Sequence, residues 1–291
     1  MKNRLKLGIP KGSLEKATIA LFDKSGWKIR PHSRNYFPSI DDPEISCALV
    51  RAQEMPRYVQ DGTLDVGLTG KDWLLENNAD VEVVCDLIYS KASQKPARWV
   101  VAVAGDSLLQ KIEDLEGKKV STELVRYTEA YFKERGIHVD IEFSWGATEA
   151  KVVEGLVDAI VEITETESTI RAHSLRIIHE MMETNTQLVA NRDAWNDPWK
   201  RNKISQIATL LQGALRADRM VGLKMNVPED KINHVVDTLP SITAPTVSSL
   251  YQSDWVSVET VISEAEVREL VPRLMKAGAQ GIIEYALNKL I

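Results

Sequence analysis

With 291 residues, 44% of them hydrophobic and 27% charged, the chain carries enough apolar material for two or three packed domains and too much to stay disordered. Its 42 acidic against 36 basic side chains leave a formal charge of -6, which argues against a protein that lives on nucleic acid or on an anionic membrane. Cys47 and Cys85 each lie in an apolar strand-like run, so buried free thiols in a reducing cytoplasm are expected rather than a disulfide framework or a metal site. No stretch approaches the ~20 apolar residues of a membrane span, and residues 1–10 lack the apolar core of a signal peptide, so neither insertion nor secretion is expected.

In chain order, residues 5–9 read as an opening strand, Pro10-Lys11-Gly12-Ser13 as the turn after it, and 14–25 as an amphipathic helix with Leu14, Ala17, Leu21 and Phe22 inward. A second apolar strand over 45–50 ends at Arg51, and a short helix over 55–61 is closed by Gly62. Residues 65–72 form a strand that turns at Gly70 into a helix over 73–76. The run 99–104 is wholly apolar, as a strand buried on both faces should be.

A second unit starts near Gly105, with a turn and strand predicted over 115–123, a strand at 139–144 and a helix at 127–136 that stops at a glycine. Gly146-Ala147-Thr148-Glu149 opens a helix running to about Gly155. Gly62-Thr63-Leu64-Asp65 and Gly155-Leu156-Val157-Asp158 precede similar apolar strands, a weak internal echo that predicts two α/β lobes facing across a cleft.

The stretch 155–171 is the most informative. A short buried strand, 159–163, runs into Thr164, Glu165, Thr166, Glu167, Ser168 and Thr169 and then into a helix. A loop at the carboxyl end of a parallel strand is where α/β proteins bind phosphates, because N–H groups and hydroxyls converge there on one anion. Glu162 would add a partner for ribose hydroxyls or a magnesium ion. The alternative is a capped turn, since Thr, Ser and Glu are ordinary helix-starting residues.

Residues 196–201 punctuate the chain before a long helix at 203–217. Then follow a strand at 221–227, a helix at 229–239, strands at 246–250 and 255–261, a helix at 264–277 closed by Gly278, and a strand at 281–285. This βαββαβ order is that of a ferredoxin-like module. The predicted division is 1–104 with part of 178–200 as lobe I, 105–200 as lobe II, 201–218 as a connecting helix and 219–291 as the module.

Five separated segments together carry a family resemblance. Pro10-Lys11-Gly12, Val50-Arg51-Ala52-Gln53-Glu54-Met55-Pro56, Gly67-Leu68-Thr69-Gly70-Lys71-Asp72, Gly146-Ala147-Thr148-Glu149 and the 155–171 loop resemble ATP phosphoribosyltransferase, the first enzyme of histidine biosynthesis. The similarity runs essentially end to end, and the last module resembles the regulatory domain of the long form. The resemblance implies two periplasmic-binding-protein-like α/β lobes forming a cleft, plus a C-terminal ferredoxin-like regulatory domain. It also implies magnesium-dependent joining of N1 of ATP to C1 of phosphoribosyl pyrophosphate, feedback inhibition by histidine, and homo-oligomers of the dimer or hexamer kind.

On that resemblance Glu162, Thr164, Glu165, Thr166, Glu167, Ser168 and Thr169 would hold phosphoribosyl pyrophosphate, with Glu162 on the ribose diol or the metal. Lys11, Gly12, Arg51 and Asp72 would contact ATP, and Lys11 and Glu162 would be the catalytic groups. Leu250 and Asp254 would belong to the histidine site, with a capping or interface role for Asp254 as the alternative. Other readings stay open for three residues: a solvated lysine at Lys11, a surface ion pair at Arg51, and a helix cap at Asp72. The five histidines, His32, His138, His173, His179 and His234, form no metal-ligand spacing.

Two positions depart from the family pattern. Ser13 stands where many relatives carry arginine, which leaves it as a helix cap. Glu167 stands where the loop normally has glycine, adding a Cβ and a negative charge at a positive-φ position beside a phosphate site. Aimed at the phosphate, that carboxylate would weaken binding by ~1 to 3 kcal/mol; aimed at solvent, it would leave the loop working. A non-catalytic two-lobed binding protein and a silent regulatory homologue with a disabled loop are the competing functions.

Overall fold

The apolar runs become strands of two sheets. In the computed structural model, which describes residues 3–32, 35–89, 96–240 and 244–291, the first lobe holds β1 (Leu5–Lys11), α1 (Glu15–Ser25), β2 (Ile29–His32), β3 (Asn35–Ile40), β4 (Ile45–Arg51), α2 (Met55–Gln60), β5 (Val66–Gly70), α3 (Lys71–Asn77) and β6 (Glu82–Leu87). The second lobe holds β7 (Ala97–Ala104), β8 (Lys119–Thr122), α4 (Val125–Glu134), β9 (Asp140–Phe143), α5 (Thr148–Val153), β10 (Ala159–Thr164), α6 (Ser168–Ala172) and β11 (Leu175–Thr184). β12 (Thr186–Ala190) returns to the first lobe, followed by α7 (Arg192–Asn196) and α8 (Pro198–Ala217). Met1, Lys2 and the side chain of His32, which entered the sequence reading, lie outside the described residues.

The first sheet runs β4-β1-β5-β12-β6, parallel through β4, β1 and β5 and antiparallel at β12 and β6. The second runs β11-β7-β10-β8-β9, parallel through β10, β8 and β9, with β7 and β11 antiparallel. Only Asn185 separates β11 from β12, so one nearly continuous strand passes from the second sheet to the first. Residues 100–103 of β7 are fully buried, as their unbroken apolar run requires, and Trp99, Phe132, Val120, Leu124 and Val161 fill the core of the second lobe. Each such side chain contributes about 1.5–3 kcal/mol by leaving water.

The echo between the two glycine-led segments is structural. Asp65 accepts the Lys6 N–H at 2.8 Å while its own N–H donates to the Lys6 carbonyl at 3.0 Å; Asp158 repeats this with Lys119 at 2.9 and 2.9 Å. Gly62 and Gly155 hold matching φ values of +72° and +68°. Each lobe thus uses one glycine turn and one aspartate to bolt the strand that follows against its parallel neighbour.

Contacts divide the chain into two compact units, 1–23 with 27–208, and 24–26 with 209–291. The second contains β13 (Met220–Pro228), α9 (Ile232–Val236), β14 (Thr246–Ser249), β15 (Trp255–Ser263), α10 (Glu264–Ala277) and β16 (Gln280–Ala286). Its antiparallel order, β14-β15-β13-β16, is the ferredoxin-like one, built over Leu223, Met225, Val258 and Leu274.

Several elements differ from expectation. The hairpin β2–β3 and the strands β6, β11 and β12 are additional. α8 begins at Pro198 rather than at 203, because proline is pre-set for a first helical turn. α3 begins at Lys71, ahead of 73. The helix expected over 229–239 is a single 3-10 turn, Glu229–Lys231, followed by the short α9.

Candidate active site

Between the two sheets lies a cleft of about 570 Å³. On one side it is lined by the carboxyl ends of the parallel strands, the place where open α/β sheets bind ligands. Lys11 and Arg51, both lining it, are register partners on β1 and β4, so two cations end side by side. The Lys11 ammonium sits 4.1 Å over the Tyr36 ring, and the Arg51 guanidinium 4.9 Å over the exposed Trp145 ring. Gly12, also in the lining, has φ +108° and its N–H reaches the Glu15 carboxylate at 3.5 Å. Ser13 lines the cleft two residues ahead of α1.

Asp72 lines the cleft yet is only 2% exposed. Its Oδ1 accepts the Trp73 N–H at 3.0 Å, its Oδ2 accepts the Trp99 indole N–H at 2.8 Å, and its own N–H donates to the Thr184 hydroxyl at 3.2 Å. Trp73 and Trp99 meet edge to face at 6.3 Å between centroids. Asp72 therefore ties α3 of the first lobe to β7 and β11 of the second. Burial raises its pKa against those hydrogen bonds, which lower it. A Cβ on Gly70 would stand 2.0 Å from Asp72 Oδ1, so this turn needs a glycine.

From the second lobe, Ile163, Thr164, Glu165 and Glu123 line the cleft. Glu162, Thr166, Glu167, Ser168 and Thr169 lie outside that lining, along β10 and around the start of α6. The Glu162 carboxyl is pushed up to about 7, first by burial and then by the charges of Glu149 and Glu123; its Ile163 N–H and Thr148 hydroxyl contacts act the other way. In the loop the Glu167 N–H donates to Thr164 Oγ1 at 2.8 Å, and the hydroxyls of Thr166 and Ser168 pair at 3.2 Å.

Glu167 has φ +58°, the left-handed conformation a glycine would take without strain. Its carboxylate points at two guanidinium groups, Arg98 at 2.6 Å and Arg171 at 3.3 Å. Arg98 also pairs with Glu180 at 2.9 Å, and Arg171 donates to the Thr166 carbonyl. The sequence reading missed both arginines; the spacing of Glu167 and Arg171, four apart, was the one visible signal.

Leu250 and Asp254 lie at the turn between β14 and β15 in the C-terminal unit, Leu250 donating its N–H to the Trp255 carbonyl at 3.0 Å and Asp254 accepting the Glu229 N–H on its carbonyl at 3.0 Å. Cys47 and Cys85 are free thiols, the first buried and the second half-buried. Among the described residues no group of three or more His, Cys, Asp or Glu side chains is placed to hold a metal ion, and no helix is long and apolar enough to cross a membrane.

Residues 51–213 match the family model described as "ATP phosphoribosyltransferase", and residues 217–289 match that of the HisG C-terminal domain. A protein from Desulfosudis oleivorans named ATP phosphoribosyltransferase is 68% identical over 291 residues, covering 100% of both chains. The chain belongs to the ATP phosphoribosyltransferase family. A second relative of that name, from Solidesulfovibrio magneticus, is 66% identical over 99% of both chains. Among solved structures, a chain of the "ATP phosphoribosyl transferase (HisG:HisZ) complex from Thermotoga maritima" superposes with a TM-score of 0.62 at 29% identity, over 72% of this chain and 96% of that one. The protein is accordingly a pentosyltransferase: it joins N1 of ATP to C1 of phosphoribosyl pyrophosphate, releasing pyrophosphate, in the first step of histidine biosynthesis.

Proposed function

We propose that the two lobes divide the substrates of this reaction between them, ATP on the Lys11–Arg51 side and phosphoribosyl pyrophosphate on the β10 side. The observation that carries this reading is the meeting of two cationic strand ends from one sheet with Thr164 and Glu165 from the other across a single cleft. Lys11, Gly12 and Arg51 neutralise and orient the triphosphate, while Asp72 holds the wall against which the base rests. Thr164, Glu165, Thr166, Glu167, Ser168 and Thr169 form the phosphoribosyl loop, whose hydroxyls and N–H groups take the 5-phosphate. In the displacement the adenine N1 lone pair forms the bond to C1 as the C1–O bond to pyrophosphate breaks, with inversion. Positive charge builds on the ribose, so alignment and neutralisation of the leaving group do most of the work.

Magnesium fits this site as a cation shared with substrate, since it typically takes one or two carboxylates and completes its shell with phosphate oxygens and water. Glu162, whose proton is held by burial and by Glu149 and Glu123, is the carboxylate in want of a cation. Bound there, the ion would offset charge developing on the leaving pyrophosphate. Lys11 supports the same charge from the opposite sheet, and Glu162, next to the cleft-lining Ile163 on β10, would take the ribose diol.

The C-terminal unit would bind histidine at the β14–β15 turn, with Asp254 taking the amino group, and would bring the chains together as a homo-oligomer that needs no separate regulatory subunit. The reaction draws on cytoplasmic substrates, so the enzyme works in the cytoplasm. Initial rates test this reading. Lys11→Met lowers kcat/KM about 100-fold, the scale of one lost electrostatic contact to a transition state. Asp254→Ala turns over but loses inhibition by histidine; full retention of that inhibition would move the regulatory site elsewhere.

A further inference from the structure

Arg98 is not among the residues lining the cleft, yet it sits at the hub of the phosphate-loop wall. On β7, an inner strand between β11 and β10, it is the register partner of Thr164 on β10 and of Glu183 on β11. Its guanidinium holds Glu180 on one side at 2.9 Å and Glu167 on the other at 2.6 Å. Glu167 is the one loop residue with a positive φ, and its N–H is turned onto Thr164. A residue with a Cβ stays in that conformation only when its surroundings hold it.

We propose that Arg98 is a positioning residue for phosphoribosyl pyrophosphate: through its ion pair with Glu167 it holds the loop in the left-handed turn that glycine would adopt unaided, and keeps the Glu167 carboxylate off the substrate phosphate. The sheet end anchors Arg98, Arg98 anchors Glu167, and Glu167 sets the path of Thr166 and Ser168. Arg171, four residues on, seconds the pair at 3.3 Å but stands on the loop's own helix, so it cannot tie the loop to the sheet. Planar guanidinium geometry lets one side chain span two carboxylates, which a lysine ammonium does less well. The proposal rests on reading this loop as the phosphoribosyl pyrophosphate site.

The test is a double-mutant cycle on the full chain, Arg98→Met and Glu167→Gly, singly and together, read as KM for each substrate. Arg98→Met is expected to raise KM for phosphoribosyl pyrophosphate about three- to tenfold while KM for ATP stays within twofold, the scale of a partly exposed ion pair acting through geometry. In the Glu167→Gly background the same substitution should have little effect, because glycine needs no brace. Arg98→Lys should fall between, and carries the same test if the methionine variant folds poorly. An Arg98 effect of equal size in both backgrounds, or none in either, would overturn the proposal. Amide hydrogen exchange over 165–169 gives the same answer without turnover: faster in Arg98→Met, not further accelerated by Arg98→Met once position 167 is glycine. A chain that makes no product but shows this exchange pattern would sink the functional reading and leave the brace standing.

Discussion

Glu162 is half-buried beside two other carboxylates, and its proton has consequences that can be measured without substrate. Its folded-state pKa lies near 7, above the 4.5 of an ordinary glutamate. Between those values the folded chain holds a proton that the unfolded chain has released, so stability falls as pH rises through this window and is restored below it. Glu162→Gln removes the titration while keeping an acceptor for the Ile163 N–H. It should melt about 4 °C above the native chain at pH 8 and level with it at pH 4.5, in thermal scans without metal or substrate. Equal melting temperatures at both values would mean that the carboxylate is ionised at no cost. At the same scale, Glu167 illustrates how an unfavourable residue is accommodated. A left-handed non-glycine residue costs on the order of 1–2 kcal/mol, and the ion pairs to Arg98 and Arg171 oppose that cost.

At the scale of elements, the repeated aspartate bolts set a comparison. Asp65 is nearly buried and carries Lys200 at 2.7 Å as well as the Lys6 N–H. Asp158 makes the equivalent backbone contact on a more open surface, with Lys118 only at 3.6 Å. Asp65→Ala should cost about 1–2 kcal/mol and Asp158→Ala about 0.5–1 kcal/mol in denaturant unfolding, because the first removes a buried acceptor from two part-buried donors and the second an exposed one. Equal losses would mean that burial does not set their worth. The repeat was legible because glycine turns and aspartates are local signals; so were β1, β5, β7 and β10, whose apolar runs match largely buried strands, and β4, apolar but only half-buried. β11 was not: Arg176, His179, Glu180 and Glu183 interrupt it, and two register shifts break its alternation. The β2–β3 hairpin hides for another reason, with Tyr36 and Phe37 largely exposed and no apolar face to announce it. In the site, Lys11, Arg51 and Thr164 announced themselves through motifs, whereas Arg98 and the Asp72–Trp99 bond depend on strands far apart in sequence meeting in space.

At the scale of the molecule, the cleft and the C-terminal unit belong to different folds. Two α/β lobes, with one nearly continuous strand passing from the second sheet to the first, offer a cleft between them; a ferredoxin-like unit follows them in the chain. The proposed phosphoribosyl pyrophosphate loop carries Glu167, and the cleft works as an active site only if that residue is tolerated there. The most direct measurement is formation of phosphoribosyl-ATP by the native chain from ATP, phosphoribosyl pyrophosphate and magnesium, beside Glu167→Gly. Turnover by the native chain within about tenfold of the glycine variant is the predicted result, since a carboxylate paired with Arg98 and Arg171 would stay off the substrate phosphate. No product from the native chain, with product from Glu167→Gly, would contradict it.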